Sequence, residues 1–396
     1  MGRRALLGLC AFCCLTGAGR VKTGLDVLVD QQFAPLAGKR VGLITNHTGL
    51  TYDRQRIIDV FARAPKLKLA AIFTPEHGIT GLRDDPGIES GKDEATGVPI
   101  HSLYQRDSRR PAPETLKDVD ALVFDIQDIG ARFYTYITTL GYTLEAAAKA
   151  GIPYYVLDRP NPINGVAVEG PLLEEKYFSF VGYMRMPIRH GMTVGELARM
   201  YNGENKLGAD LHVIPVEGWK RTMWFDETGL EWINPSPNMR NLTQAILYPG
   251  ACLLESRQVS VGRGADTPFQ IVGAPWFKGR EVADYLNERG VPGVRFIARR
   301  FRPTASVHKD QDCDGLDIQL IARDVFDAVR MGLELLHATL KFHPGEFNVD
   351  GVMRLLGSDD TAARLKRGET GARITETLKA GVGAFRRTRE RYLLYK

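Results

Sequence analysis

A chain of 396 residues with 44% hydrophobic and 25% charged content has enough apolar material to build packed cores, which excludes an intrinsically disordered protein. The formal net charge is only +5, with Lys and Arg interspersed among Asp and Glu, so no basic tract is available to follow a phosphate backbone and a nucleic-acid partner is excluded. The length suits two or three domains.

The first twenty residues stand apart. A positive "MGRR" precedes the apolar run Ala5 to Gly19, with small residues near Ala18, the layout of a secretory signal peptide. The apolar part is too short to span a bilayer comfortably, and no later segment is long and apolar enough to do so. Residues 1–20 are therefore expected to be removed, giving a secreted or periplasmic protein without a membrane span. Of the five cysteines, Cys252 and Cys313 would then remain. A disulfide between them and two buried thiols are both compatible with an exported chain.

After a linker around Val21 to Gly38, hydrophobic runs alternate with helical patterns. Strands are predicted at Arg40 to Thr45, Leu67 to Phe73, Ala121 to Ile126 and Pro153 to Asp158. Helices are predicted at Asp53 to Ala64 and Thr138 to Gly151, and a polar, Gly-rich loop at Gly78 to Gly97. Continuous apolar strands separated by helices predict an α/β fold with a Rossmann-like, mostly parallel sheet covered on both faces. No G-x-G-x-x-G follows the first strand, so dinucleotide binding is not supported and no cofactor is expected. Beyond about Gly182 the pattern changes. Thr193 and Glu196 form a capping box ahead of a helix to Asn202, "DLHVIPV" is a strand, and a Pro/Asn/Gly-rich stretch runs from Asn234 to Gly250. Strands "GVRFIAR" and "GLDIQLI" and helices at Val325 to Leu340 and over much of Asp359 to Arg391 follow. This predicts a Rossmann-like domain over 21–235 and a smaller α+β domain over 236–396.

In a parallel sheet the carboxyl ends of the strands open onto the ligand crevice. The first predicted strand runs into Asn46 and His47, and the second into Glu76 and His77 through "FTPEHG". The third is followed by Asp125, Gln127, Asp128, Arg132 and Tyr134, and the fourth by Asp158, Arg159 and Asn161. Four successive strand ends carrying acids, amides, His or Arg mark one polar site, in which Glu76 is aimed from a rigid element. Beyond them, Glu169 sits in the apolar flank "VAVEGPLL", where desolvation should raise its proton affinity. Two carboxyls on one cleft are the equipment for cleaving a glycosidic bond. The loops "RHG" (Arg189, His190), "PSPNM" (Asn238) and "VGRGADTPF" (Arg263, Asp266) read equally as substrate loops or as structural turns. Tyr134, Tyr136, Trp276 and Phe277 can stack on a sugar or fill a core. His47, His77 and Glu76 lack the three firm ligands zinc catalysis needs, and no metal is expected.

Taken together, "GLITNHTG", "FTPEHGI", "DIQDIGARFYTY", "DRPNPING", "VEGP", "RHGMTVGELA", "PSPNM", "YPG" and "GRGADTPFQ" make the sequence resemble the NamZ-type exo-β-N-acetylmuramidases, from about Gly24 to Lys396. The resemblance implies exo-lytic release of N-acetylmuramic acid from the non-reducing end of peptidoglycan fragments, with Glu76 and Glu169 as the catalytic acids. It also implies a cleft between the two domains and peptidoglycan-derived saccharides as partners. The lactyl carboxylate of that sugar calls for an arginine, for which Arg132, Arg159, Arg189 and Arg263 are candidates, and Asp125, Asp128 and Asn161 can hold hydroxyls or orient the acids. One loop departs from the family wording: "LESRQ" (Leu254 to Gln258) stands where "LEGTN" is common. An exported sugar-binding protein without turnover is the alternative from another class. A serine hydrolase is disfavoured by the lack of a G-x-S-x-G elbow.

Overall fold

The computed structural model describes residues 20–83, 90–105 and 108–396; the expected signal peptide and part of the Gly-rich loop lie outside these residues. Seven strands form the first sheet: β1 (Arg40–Thr45), β2 (Lys68–Thr74), β3 (Gly91–Lys92), β4 (Pro99–Ser102), β5 (Ala121–Asp125), β6 (Tyr154–Leu157) and β7 (Leu211–Ile214). Their order is β3-β4-β2-β1-β5-β6-β7, all parallel except the short β3, so the Rossmann-like α/β expectation is met. The chain winds outward from β1 to one side and then returns to the other. That places a topological switch point between β1 and β5.

Period-2 alternation divides each strand between two cores. Val41, Leu43, Ile72, Val123 and Leu157 join the apolar layer under α1 (Gly24–Asp30) and α2 (Ile57–Arg63). Ile44, Phe73, Phe124 and Val156 join a larger layer against α3 (Tyr136–Ala150) and α4 (Val194–Glu204). Helix α1 falls within what reads as a linker. It is a single capped segment, held by reciprocal Thr23 and Asp26 bonds, and too short to show an amphipathic period.

The C-terminal half opens with α5 (Leu242–Ala251), which the Pro/Asn/Gly-rich composition concealed. Asn241 caps it by accepting from the Gln244 amide. A three-stranded antiparallel sheet follows, β8 (Ile271–Ala274), β9 (Val294–Phe301) and β10 (Cys313–Leu320) in the order β8-β10-β9. Around it lie α6 (Gly279–Glu288), α7 (Ala328–Phe342), α8 (Met353–Leu356), α9 (Asp359–Lys366) and α10 (Gly371–Glu390). Gly250 and Gly332 let α5 and α7 touch backbone to backbone; a Cβ on Gly250 would stand 1.9 Å from the Ala328 carbonyl oxygen. The helical stretch read over much of Asp359 to Arg391 is two helices, α9 and α10, parted at Gly368, whose φ is +76°. The larger apolar layer runs without interruption from β5 and α3 into α5, α7 and β10, so the two halves share one core.

Candidate active site

A cavity of about 740 Å³ lies where the carboxyl edge of the sheet meets the C-terminal half. Glu76 and His77 enter it from the end of β2, Phe133 to Thr135 from the turn before α3, and Asn238 from the "PSPNM" loop. Cys252, Glu255, Arg257 and Arg263 enter from the chain after α5. This is the size of a small-molecule site.

The local sequence explains how Glu76 is held. Proline ends β2, and the backbone then reverses through two left-handed residues, His77 (φ 69°) and Gly78 (φ 72°). Such a φ is unfavourable for a residue with a Cβ, and the His77 side chain helps fix it through Nδ1 and the Arg83 carbonyl, 2.6 Å apart. The Thr135 hydroxyl donates to Glu76 Oε2 at 2.5 Å, and the Tyr104 hydroxyl is raised by burial and then by this carboxylate beside it. Thr135 is the N-cap of α3, so Glu76 meets the positive end of a helix of fifteen residues.

Glu255, on the other chain segment, is a second carboxylate of the same cavity. Arg263 clasps it, Nε to Oε1 at 2.6 Å, and the Cys252 thiol lies 3.2 Å from Oε2. Burial alone would lower the Arg263 guanidinium, but Glu255 beside it outweighs that and raises it. Burial, with Glu255 next, pushes the Cys252 thiol far up, and Cys252 and Cys313 are both free and buried. Phe133, Tyr134, Tyr248 and Phe269 form the aromatic wall. Tyr248 packs edge-on against the other three, with centroids 5.3, 5.8 and 4.6 Å away. Such a wall offers an apolar face to a sugar ring.

Of the residues singled out in the sequence, Glu76, His77, Tyr134, Asn238 and Arg263 reach this cavity. Glu169 does not line it, contrary to the expectation that it faces Glu76 across one cleft. Its carboxylate is paired with Arg189 at 2.6 Å and accepts from the Val329 amide in the first turn of α7 at 3.3 Å, with both side chains buried. Asp327, the N-cap of α7, is pushed up to about 7 by burial and then by the charge of Glu169. The cluster joins the loop after β6 to the C-terminal half.

The remaining strand-end residues are spent on building loops, which must satisfy their buried backbone groups. Asn46 Oδ1 accepts from Thr48, and His47 Nε2 meets the Asn234 carbonyl at 2.7 Å. Asp125 is buried against Arg159, and Gln127 donates to the Asp128 and Pro160 carbonyls. Asp128 accepts from the Gly130 amide at 2.7 Å and lies 3.9 Å from His190. Burial drives Asp128 up to about 7 and His190 down to about 3, so the imidazole stays neutral. Asp158 binds Thr193, the Gly195 amide and Tyr395, and burial raises it to about 6. Asn161 bridges the Ile163 amide and the Met192 carbonyl.

Arg132, wholly buried and lowered to about 9, donates to the carbonyls of Pro171, Met186, Leu355 and Leu356. Asp266 is exposed, and its carbonyl accepts from Arg240. Tyr136 is buried, its hydroxyl donating to the Pro235 carbonyl, while Trp276 and Phe277 pack on His343. A smaller cavity, about 240 Å³, includes Gln127 and Arg159 near the switch point. Among the described residues no group of three or more His, Cys, Asp and Glu is placed to hold a metal ion.

Reasoning from strand ends missed Glu255, which follows a single 3-10 turn rather than a strand. The signal available for it was the glutamate that "LESRQ" shares with the family wording "LEGTN".

A Rossmann-like sheet with two carboxylates and an aromatic wall in one cavity is the equipment of a sugar-cleaving enzyme. Family models described as "Exo-beta-N-acetylmuramidase NamZ", N-terminal and C-terminal, match residues 41–243 and 246–395, and the chain belongs to this family. The peptidoglycan beta-N-acetylmuramidase NamZ of Bacillus subtilis (strain 168) is 42% identical over 381 residues, 95% of this chain and 92% of that one. Two crystal structures of DUF1343 family proteins from Bacteroides fragilis NCTC 9343 superpose with TM-scores of 0.87 and 0.78. They are 38% and 31% identical, each covering 95% of this chain and 99% of its own.

Proposed function

We propose that the protein is an exo-acting β-N-acetylmuramidase that releases N-acetylmuramic acid from the non-reducing end of peptidoglycan fragments. The observation that carries this reading is the placing of Glu76 and Glu255 on one cavity, in a chain 42% identical to a peptidoglycan beta-N-acetylmuramidase. Glu76, held by Thr135 at the N-terminus of α3, serves as the general acid/base of the pair. Glu255, charge-paired with Arg263, acts on the anomeric carbon directly or through water. Tyr134 and its aromatic neighbours take the ring, and His77 and Asn238 face it. Glu169 supports the site from a distance by holding α7 and the loop after β6 in register. The cavity has the dimensions of a small-molecule site, which suits removal of a terminal sugar. We also propose export, from the charge and hydropathy layout of residues 1–20.

Capture of a sugar by two closing lobes would need a hinge with few contacts across it. The apolar core shared by both halves argues against that alternative. Incubation with β-1,4-linked N-acetylmuramyl-N-acetylglucosamine should yield free N-acetylmuramic acid by mass spectrometry. An intact disaccharide after prolonged incubation, with binding detectable by calorimetry, would favour the capture reading.

A further inference from the structure

The charges in the Glu76 cavity do not balance. Glu255 is neutralised by Arg263 at 2.6 Å, yet two more guanidiniums, Arg257 and Arg354, line the same cavity. Both residues are exposed, and among the described residues neither has an acidic partner.

They are brought to one wall by deliberate stitching. The Gln258 side chain donates to the Glu346 carbonyl at 2.8 Å and accepts from the Asn348 amide at 3.2 Å, which ties the chain after α5 to the segment leading into α8. His308 Nε2 meets the Gln258 carbonyl at 2.9 Å and pins the same loop from a third side. Counting Glu76 as well, three guanidiniums face two carboxylates in the cavity, an excess that no other acid among its described lining residues offsets. An anion entering the cavity would do so, and a guanidinium fork matches a carboxylate. The four arginines first considered for this task are committed elsewhere: Arg132 to carbonyls, Arg159 to Asp125, Arg189 to Glu169 and Arg263 to Glu255.

We propose that Arg257 and Arg354 form a subsite for a carboxylate on the 3-O arm of the muramic acid ring, and so set the preference for acid-bearing substrates. The carboxylate comes from the lactyl group itself or from a peptide attached to it. The inference rests on the reading of this cavity as the sugar site.

The test is calorimetric binding of three probes to the full chain and to Arg257→Ala, Arg354→Ala and the double variant. The probes are N-acetylmuramic acid, its dipeptide conjugate with a free carboxylate, and N-acetylglucosamine, which lacks the arm. The double variant should bind the acid-bearing probes roughly 10- to 100-fold more weakly, the effect of losing charge-assisted hydrogen bonds, and N-acetylglucosamine unchanged. Arg257→Lys should recover part of the loss. A loss larger for the dipeptide conjugate assigns the subsite to the peptide carboxylate, and a loss larger for N-acetylmuramic acid, whose lactyl carboxylate is free rather than amidated, assigns it to the lactyl group. Unchanged affinity for both acid-bearing probes overturns the proposal. So does an equal loss for N-acetylglucosamine, or no binding of either acid-bearing probe to the unaltered chain. Turnover of the disaccharide is followed in parallel. Arginine-dependent binding without turnover defeats the enzymatic reading alone, whereas turnover indifferent to both arginines defeats this proposal alone.

Discussion

Two carboxylate–arginine pairs stand in this molecule with nearly the same local geometry and opposite surroundings. Glu255 and Arg263 meet at 2.6 Å on the wall of an open cavity that also holds Glu76. Glu169 and Arg189 meet at 2.6 Å in a closed junction, with the first turn of α7 on one side and Asp327 beside them. A paired acid is therefore not a catalytic acid by virtue of its pairing. What separates the two is access: Glu255 lines the open cavity although its oxygens too are engaged by Arg263 and Cys252, whereas Glu169 is buried and does not line it.

The largest expected effect is at the cavity. Glu76→Gln should lower kcat by about 10²- to 10⁴-fold, the usual worth of a positioned acid, with the melting temperature little changed because the side chain is only half-buried. Wild-type rates in that variant would remove Glu76 from the chemistry.

Next in size is the junction. Glu169→Ala leaves Arg189 buried without its counter-charge and the α7 amide without its acceptor, and should cost about 3–5 kcal/mol of stability. The measurement is denaturant unfolding beside kcat on the folded fraction. A stable, inactive Glu169→Ala protein would reverse the assignment.

A smaller loss is expected for Thr135→Val, which keeps the shape of the N-cap residue but removes the donor to Glu76 Oε2. About tenfold or somewhat more in kcat/KM is the scale of one hydrogen bond to a charged group. An unaltered pH–rate profile together with unaltered kcat/KM would show that Thr135 does not tune the acid.

The finest test concerns pH. Asp327 holds its proton to about pH 7 in the folded protein against 3.8 for the free side chain, through burial and then the charge of Glu169. Folding therefore binds a proton here, so this contribution is complete below pH 4 and is lost as pH rises through 7. Asp327→Asn keeps a capping oxygen for the Arg330 amide and removes the titration. It should flatten that part of the stability profile and make the variant relatively more stable at pH 8. An unchanged slope between pH 4 and 8 would place the titration elsewhere.

The sequence made the sheet legible because its strands are buried on both faces and read as unbroken apolar runs, and because "FTPEHG" joins a strand end to a proline, an acid and a left-handed turn. It concealed α1 and α5, whose caps outweigh short length and proline-rich surroundings. At the site, polar residues at four strand ends read as one constellation. In the fold most of them satisfy backbone: Gln127, Asp158 and Asn161 close turns and caps, and Arg132 serves four carbonyls. Residue type at a strand end does not say whether the side chain faces the crevice or its own loop. Glu255 was hidden for the opposite reason, since it comes from the second half of the chain and meets Glu76 only through tertiary packing.

The division between an open reacting pair and a closed supporting one is tested most directly by measuring kcat and thermal stability together for Glu76→Gln, Glu255→Gln and Glu169→Gln on one N-acetylmuramyl disaccharide. The account predicts that the first two lose turnover by at least about a hundredfold while melting near the wild type. Glu169→Gln should melt early yet turn over normally while folded. A Glu255→Gln enzyme at full speed beside a well-folded, dead Glu169→Gln enzyme would contradict it.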